Sequence, residues 1–245
     1  MFRATVKADV LKHIVEATST LVDEAKIHIT TDGVSLKAVD PAHVAMVDLS
    51  LGAKAFESYE AGDLELGLDL EKFKDVLKLA GSADTVKMEY HKDSHRLVMR
   101  MGNLVRRVGL VDTAGMPDPK VPNLNLPNKV VVSAEELHRA IKGSESLSDH
   151  VTVIADPEFF EISAESDLDA LNLRLPKEEL IELEAAERTK SMFSLDYLSN
   201  MIKAVRSGGA LTMHLGSDYP VKMEFDLADG NGHCVYLLAP RIETD

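Results

Sequence analysis

The chain has 245 residues, of which 45% are apolar and 28% charged, with a formal net charge of −14. That length supports one or two domains with real cores, and the absence of an apolar run of about 18 residues excludes a membrane-spanning helix. A single cysteine, Cys234, excludes an internal disulfide and any multi-cysteine metal site, and the N-terminal stretch Met1–Asp9 lacks the apolar core of a secretion signal, so the expected location is the cytoplasm.

Along the chain, helical and strand periods alternate. A first helix is predicted from the stripe Val10, Leu11, Ile14, Val15 and Thr18, which leaves Lys12, His13 and Glu16 on its other face. Strict alternation predicts strands at Lys26–Thr30 and Val34–Val39, joined through the turn residues Asp32-Gly33. A second helix carries Phe73, Val76, Leu77 and Ala80 inward and Glu71, Lys74, Asp75 and Lys78 outward. Thr85–Tyr90 and His95–Met101 form a further strand pair across Lys92-Asp93-Ser94. Residues 113–128 contain four prolines, which forbid helix and discourage ladder pairing, so this segment reads as an extended linker with Leu124 and Leu126 as its conspicuous apolar residues. A third helix follows on Leu137, Ala140 and Ile141, with Glu135, His138, Arg139 and Lys142 outward. A fourth uses Leu198, Met201, Ile202 and Val205, with Asn200, Lys203 and Arg206 outward. Strands at Thr212–Leu215 and Val221–Leu227 close the pattern.

The order repeats. An offset of 126 pairs Val6 with Val132, Leu11 with Leu137, Leu21 with Leu147 and Asp23 with Asp149. A second match, at offset 127, pairs Leu68-Asp69-Leu70 with Leu195-Asp196-Tyr197 and Gly81-Ser82-Ala83 with Gly208-Gly209-Ala210. The expected fold class is α+β: two similar domains of antiparallel sheet with two helices each, residues 1–112 and 129–245, connected by 113–128.

Charge is sorted along this plan. Residues 1–122 hold 16 Lys/Arg against 19 Asp/Glu, and residues 123–245 hold 11 against 22. The four helical windows (9–20, 70–80, 134–143 and 195–207) contain 8 basic and 7 acidic residues, so almost all the acidity lies elsewhere. Acids in first turns and cations in later turns match the helix dipole. The same cations are also placed to meet a phosphate backbone without reading sequence.

The stretch Gly33-Val34-Ser35-Leu36-Lys37-Ala38-Val39-Asp40-Pro41-Ala42-His43-Val44-Ala45-Met46-Val47 resembles the signature of the PCNA family of sliding clamps. So do Phe193-Ser194-Leu195-Asp196-Tyr197-Leu198 and the C-terminal Leu237-Leu238-Ala239-Pro240-Arg241-Ile242, and the likeness runs the length of the chain. Pro41 and the Pro-x-Leu-x-Leu-Pro linker are similar to the archaeal branch. The resemblance implies a homotrimeric, pseudo-sixfold ring around duplex DNA, with helices inside and sheets outside. The clamp would tether DNA polymerase, flap endonuclease and DNA ligase and be opened by a clamp loader, with no cofactor and no catalysis of its own. By family position it implies DNA contact from Lys12, Lys78, Arg139, Lys142 and Lys203, to which the helix faces add Lys74 and Arg206. His13, Ser19 and Asp75 stand where eukaryotic relatives carry lysine, which weakens the channel's positive field. It implies a partner-peptide pocket at Val39, His43, Val44, Met46, Leu124, Leu126, Pro220, Leu237, Ala239, Pro240 and Ile242, which would receive a short motif with a glutamine and paired aromatics. It implies ring closure through two edge strands, Arg106–Val111 and Ala170–Leu175, with Arg106, Arg107, Val108, Leu110, Leu171, Leu173 and Leu175 at the joint.

Two other readings bear on the same residues. One is a subunit of a heterotrimeric clamp. The other is a metal-dependent hydrolase using Asp40, His43 and Asp48, or His91 with His95; neither set has a third ligand at a defining spacing. There is no Gly-x-Ser-x-Gly elbow or Walker loop. Cys234 lies in an apolar strand, where an inert thiol is expected.

Overall fold

A computed structural model describes residues 1–242. Its elements in chain order are β1 (Phe2–Lys7), α1 (Ala8–Ser19), β2 (Glu24–Ile29), β3 (Gly33–Val39), β4 (Ala45–Gly52), β5 (Ser58–Ala61), β6 (Leu64–Asp69), α2 (Leu70–Leu77), β7 (Thr85–His91), β8 (Arg96–Met101) and β9 (Leu104–Gly109). They continue with β10 (Asn128–Ser133), α3 (Ala134–Ser144), β11 (His150–Asp156), β12 (Phe159–Glu165), β13 (Ala170–Pro176), β14 (Glu182–Glu184), β15 (Thr189–Ser194), α4 (Leu195–Lys203), β16 (Ala210–Leu215), β17 (Val221–Leu227) and β18 (Gly232–Leu238). The fold is α+β, and no described helix is long and apolar enough to cross a membrane.

The chain divides into two compact units, Met1–Val121 with Asp226–Cys234, and Pro122–Phe225 with Val235–Asp245. The division differs from a boundary centred on the proline-rich segment. Residues 113–121 pack with the first unit, and 226–234 return to it from late in the chain.

In the first unit, strands run in the order β5-β1-β7-β8-β9 and, separately, β6-β2-β3-β4, with antiparallel pairing throughout. One face of each is apolar. Phe2, Val6, Val86 and Met99 share a core with Leu66 and Leu68 and with the helical residues Leu11, Val15, Phe73, Val76 and Leu77. Burial of this kind, at roughly 25 cal/mol per Å² of apolar surface, is what holds the two helices against the sheet. The Tyr59 hydroxyl donates to the carbonyls of Thr30 (2.7 Å) and Gly33 (2.8 Å), fastening the β2–β3 turn, and burial pushes its pKa up to about 12.

The second unit repeats the scheme with β13-β12-β11-β15 and β14-β10-β16-β17. Its core includes Val130, Leu137, Ile141, Phe160, Phe193, Leu198 and Met201. The duplication is visible bond by bond. Thr18 Oγ1 donates to the Ile14 carbonyl, and Ser144 Oγ to that of Ala140, both at 2.9 Å. The Leu70 amide donates to the Asp23 carbonyl, and the Leu195 amide to that of Asp149. The Ala8 amide donates to the Asp84 carbonyl, and the Ala134 amide to that of Gly209. These pairs confirm the 126-residue offset through the first helix of each repeat. They correct the second offset, because Leu70 corresponds to Leu195 and Asp84 to Gly209, a spacing of 125 and not 127. The Leu-Asp-Leu similarity sits two residues out of structural register.

The helices start as their sequences dictate. Asp69 caps α2 by accepting from the Lys72 amide at 3.0 Å, and Ser133 caps α3 by accepting from the Glu135 amide at 3.2 Å. Acids occupy the first turns of all four helices.

Candidate functional site

Three groups of residues were expected to act. Each is described within its own unit.

The helix faces carry the basic group. Lys78, Arg139, Lys142, Lys203 and Arg206 are exposed and Lys74 is half-buried; Lys78 caps the end of α2 and Arg206 lies beyond the end of α4, not on their helical faces. Most of these charges have an acidic neighbour. Lys74 pairs with Glu71 (3.2 Å), Lys78 with Asp75 (2.8 Å), Arg139 with Glu136 (2.9 Å) and Lys203 with Glu145 (3.4 Å). Three of the four are i,i+3 pairs on one helix surface. Exposed pairs of that type contribute little to stability. The Glu145 carboxyl is held below its usual range by the Ser199 hydroxyl first and Lys203 second, so it stays ionised beside Lys203. Arg206 is itself engaged in a polar or ionic interaction.

Lys12 departs from the expected role. Its Nζ donates to the Ala80 carbonyl at 2.6 Å, satisfying an orphan group just beyond the end of α2. The residue at the same repeat position, His138, bonds to the Ile202 carbonyl at 2.8 Å near the end of α4. Both side chains pin one helix to the next. His13 is a second correction: it is 6% exposed, because the buried arc of α1 extends round to His13 and Ala17. Lys72, exposed and paired with Asp69 at 2.7 Å, is a further α2 cation that the helical-face reading passed over.

The apolar group is built on two loops. In the first unit, the β3–β4 connection folds around one carboxylate. Asp40 is 2% exposed; its Oδ1 accepts from the Val44 (2.8 Å) and Ala45 (2.7 Å) amides, and its Oδ2 from the Ala42 amide (3.0 Å). The backbone of Asp40 bonds to the Ala45 carbonyl, and the His43 amide to the Asp40 carbonyl. His43 is driven into the left-handed region, φ 58°. The result presents His43 and Val44 to solvent above the cross-strand pair Val39–Met46. In the second unit, Leu124 and Leu126 are half-buried, and Leu126 Cδ2, Pro127 Cδ and Tyr219 Cβ all stand close over Gly216. Ala239 and Pro240 are half-buried and Ile242 is exposed. Met46 and Leu237 are buried, so each serves as floor and not as contact surface. Tyr219 was not foreseen: it is exposed, and its Cβ shares the space over Gly216 with Leu126. Its place after the turn Ser217-Asp218 gives no periodic signal.

The two edge strands form the third group. β9 ends the sheet of the first unit and β13 ends the four-stranded sheet of the second, so each leaves one row of backbone groups unpaired. Arg106 and Arg107 are exposed on β9, with Leu104 and Val105, which sequence reasoning omitted. On β13, Leu171 and Leu173 are half-buried, and Leu171 reaches over Gly143 of α3, where a Cβ would overlap it. Val108 and Leu175 are each 5% exposed and belong to their own cores, not to a joint. Leu110 packs against the core of the first unit. The expected first strand also ran too far. It spans Leu104–Gly109, and Val111 instead bridges to Gly67.

The hydrolase constellations do not assemble. All the Asp40 oxygens face amides of its own loop, and Asp48 lies 3.8 Å from Lys37. His91 pairs with Glu89 at 3.5 Å, while His95 meets the Tyr90 hydroxyl. Cys234 is buried.

Residues 1–107 match the family profile described as "Proliferating cell nuclear antigen, N-terminal domain", and residues 120–241 match that of its C-terminal domain. A DNA polymerase sliding clamp of Methanocella arvoryzae is 45% identical over 246 residues, and that of Methanococcoides burtonii 41%; both alignments cover the whole of each chain. Among solved structures, the one titled "C-terminal region of FEN-1 bound to A. fulgidus PCNA" superposes with a TM-score of 0.95 at 36% identity, covering all of both chains. PCNA from Thermococcus kodakaraensis superposes with a TM-score of 0.92 at 27% identity, covering 98% of this chain and all of the other. The chain therefore belongs to the proliferating cell nuclear antigen family of DNA polymerase sliding clamps.

Proposed function

We propose that three copies of this chain close head to tail into a ring that encloses duplex DNA. The observation that carries the reading is the pair of unpaired edges. β9 offers main-chain groups flanked by Arg106 and Arg107, and β13 offers the same beside a hairpin tip bearing Glu165, Asp167 and Asp169. Joining β9 of one copy to β13 of the next satisfies both rows of backbone groups and sets opposite charges together. A heterologous contact of this kind makes a closed ring when its rotation closes.

Within such a ring, Lys74, Lys78, Arg139, Lys142, Lys203 and Arg206 line the channel and hold DNA weakly and without sequence preference. Enclosure, not affinity, keeps the clamp on the duplex. Short partner motifs dock on two surfaces, each within its own unit: the Asp40–Ala45 loop with Val39, His43 and Val44 over the buried Met46, and Leu124, Leu126, Pro220, Ala239, Pro240 and Ile242 over the buried Leu237. An aromatic anchor filling an apolar depression supplies most of such an interface's energy. The flap endonuclease fragment named with the A. fulgidus relative supports a flap endonuclease as one such partner. Replicative polymerase, ligase and an ATP-driven loader complete the partner set, and the clamp acts in the cytosol with no cofactor and no reaction of its own.

Light scattering on the purified chain tests ring closure. Three chains of 26.8 kDa sum to about 80 kDa, the mass expected of a closed trimer. A persistent mass near 27 kDa contradicts self-closure. Restoration of the trimer mass only on mixing with a paralogue identifies a heterotrimer subunit.

A further inference from the structure

The segment that leaves β9 does not run free. The Val111 amide donates to the Gly67 carbonyl at 2.9 Å, and a Cβ on Gly67 would overlap the Val111 carbonyl, so only glycine admits the chain here. Seven residues on, the same segment is fastened to β2. The Lys26 ammonium, on a side chain only 9% exposed, donates to Asp118 Oδ2 and to the Met116 carbonyl (3.2 Å). His28, two residues along the same strand face, lies with Nε2 2.7 Å from Asp118 Oδ1 and Nδ1 3.3 Å from Glu65 Oε1. Residues 111–118 thus form a strap across β6 and β2, closed by one imidazole and two carboxylates from three separate segments. Lys26 fixes one oxygen of Asp118 and leaves the other facing the imidazole, and it holds the Asp118 carboxyl below its usual range.

We propose that His28, Glu65 and Asp118 form a binding site for a divalent transition-metal ion of the zinc class that locks this strap. One donor atom from each residue lies within 4.8 Å of the others. A tetrahedral site with bonds of about 2.0–2.2 Å needs its donors about 3.4 Å apart around one imidazole nitrogen, so binding requires the carboxylate that now faces the other nitrogen to swing round. An imidazole nitrogen beside two carboxylate oxygens selects borderline metals over magnesium or calcium, which demand oxygen alone. The ion takes one imidazole nitrogen as a neutral ligand, and a water completes the shell. The cluster lies within the first unit and shares no residue with the basic helix faces or the Asp40–Ala45 loop.

Calorimetric titration of zinc sulfate into the chelator-treated full-length chain, with millimolar magnesium present, tests the site. One saturable site per chain is expected, weakened at least tenfold in His28→Ala and Asp118→Asn, since losing even an outer-shell partner costs about 10–100-fold. His28 is partly solvent-exposed, so the His28→Ala fold is expected to survive, and circular dichroism checks it. Trypsin cleavage after Lys120, two residues beyond the strap, provides a second readout. Zinc should slow it in the wild type and leave His28→Ala unaffected. No saturable zinc binding, or zinc binding that persists undiminished in His28→Ala, overturns the site. Cleavage indifferent to zinc in the wild type overturns the lock.

Discussion

Substituting Asp40 by alanine tests how one carboxylate shapes the proposed docking loop. The side chain accepts three amides, from Ala42, Val44 and Ala45. The Ala42 amide can turn to water, since its residue is exposed; the Ala45 amide cannot, because Ala45 is buried. Hydrogen bonds to an ionised acceptor are worth about 1.5–3 kcal/mol each, and a buried donor left alone costs about 1–3 kcal/mol. With one amide rehydrated and one partly so, the loss is about 2–4 kcal/mol. It falls first on the loop, because His43 at φ 58° has no intrinsic preference for that conformation. The apparent affinity for a partner-motif peptide falls by the fraction of chains that keep the native loop. A native fraction of one tenth gives a tenfold weaker Kd. Urea unfolding and fluorescence-polarisation titration of a labelled peptide measure the two effects. An Asp40→Ala protein with unchanged urea midpoint and unchanged peptide affinity refutes the reasoning.

Leu126→Asp places a charge against Gly216 and the Tyr219 turn and should abolish peptide binding while leaving solution mass unchanged; equal binding refutes the pocket. Replacing Lys78, Arg139 and Lys142 together by alanine should reduce DNA loading and retention without altering trimer mass, whereas Lys12→Ala should chiefly lower thermal stability, because Lys12 is spent on the Ala80 carbonyl. Normal loading and retention in the triple variant contradict the channel assignment. A pH effect follows from His214, whose pKa burial lowers below 6.5 despite the nearby Glu224. The unfolded chain takes up that proton at higher pH than the folded one, so its contribution is present above pH 6.5 and lost as pH falls through the folded value. Between pH 7.5 and 5 the urea midpoint should drop, and His214→Gln should drop less; equal slopes contradict this. The depressed carboxyls of Asp118 and Glu145 titrate below that window.

The elements were legible wherever period and turn chemistry agreed. The β2–β3 and β7–β8 hairpins and the four helices fall where alternation and apolar stripes put them, except that α2 and α4 stop short of Lys78 and Ala80, and of Val205 and Arg206. What failed was local phase and long-range pairing. A stripe of five residues in α1 does not reveal that the buried arc widens to His13. A lysine on a helix face looks the same whether it meets phosphate or, like Lys12, a carbonyl 68 residues away. Asp48 and His95 looked like ligands because spacing cannot show that one faces Lys37 and the other Tyr90. The strap was invisible for the same reason, since Lys26 and His28 meet Asp118 across 92 and 90 residues. Edge strands were found through family likeness, but which residues face outward depends on strand register. Val108 and Leu175 therefore proved to be core, and Leu104 and Val105 surface.

Retention on circular DNA is the direct test of enclosure. The clamp is loaded onto nicked circular duplex, washed at high salt, and the bound fraction is measured before and after a single restriction cut. A closed ring resists salt on the circle and slides off the linear product. Loss from the circle in salt, or equal retention on circular and linear DNA, would mean that contact and not topology holds the protein, and would contradict the clamp account.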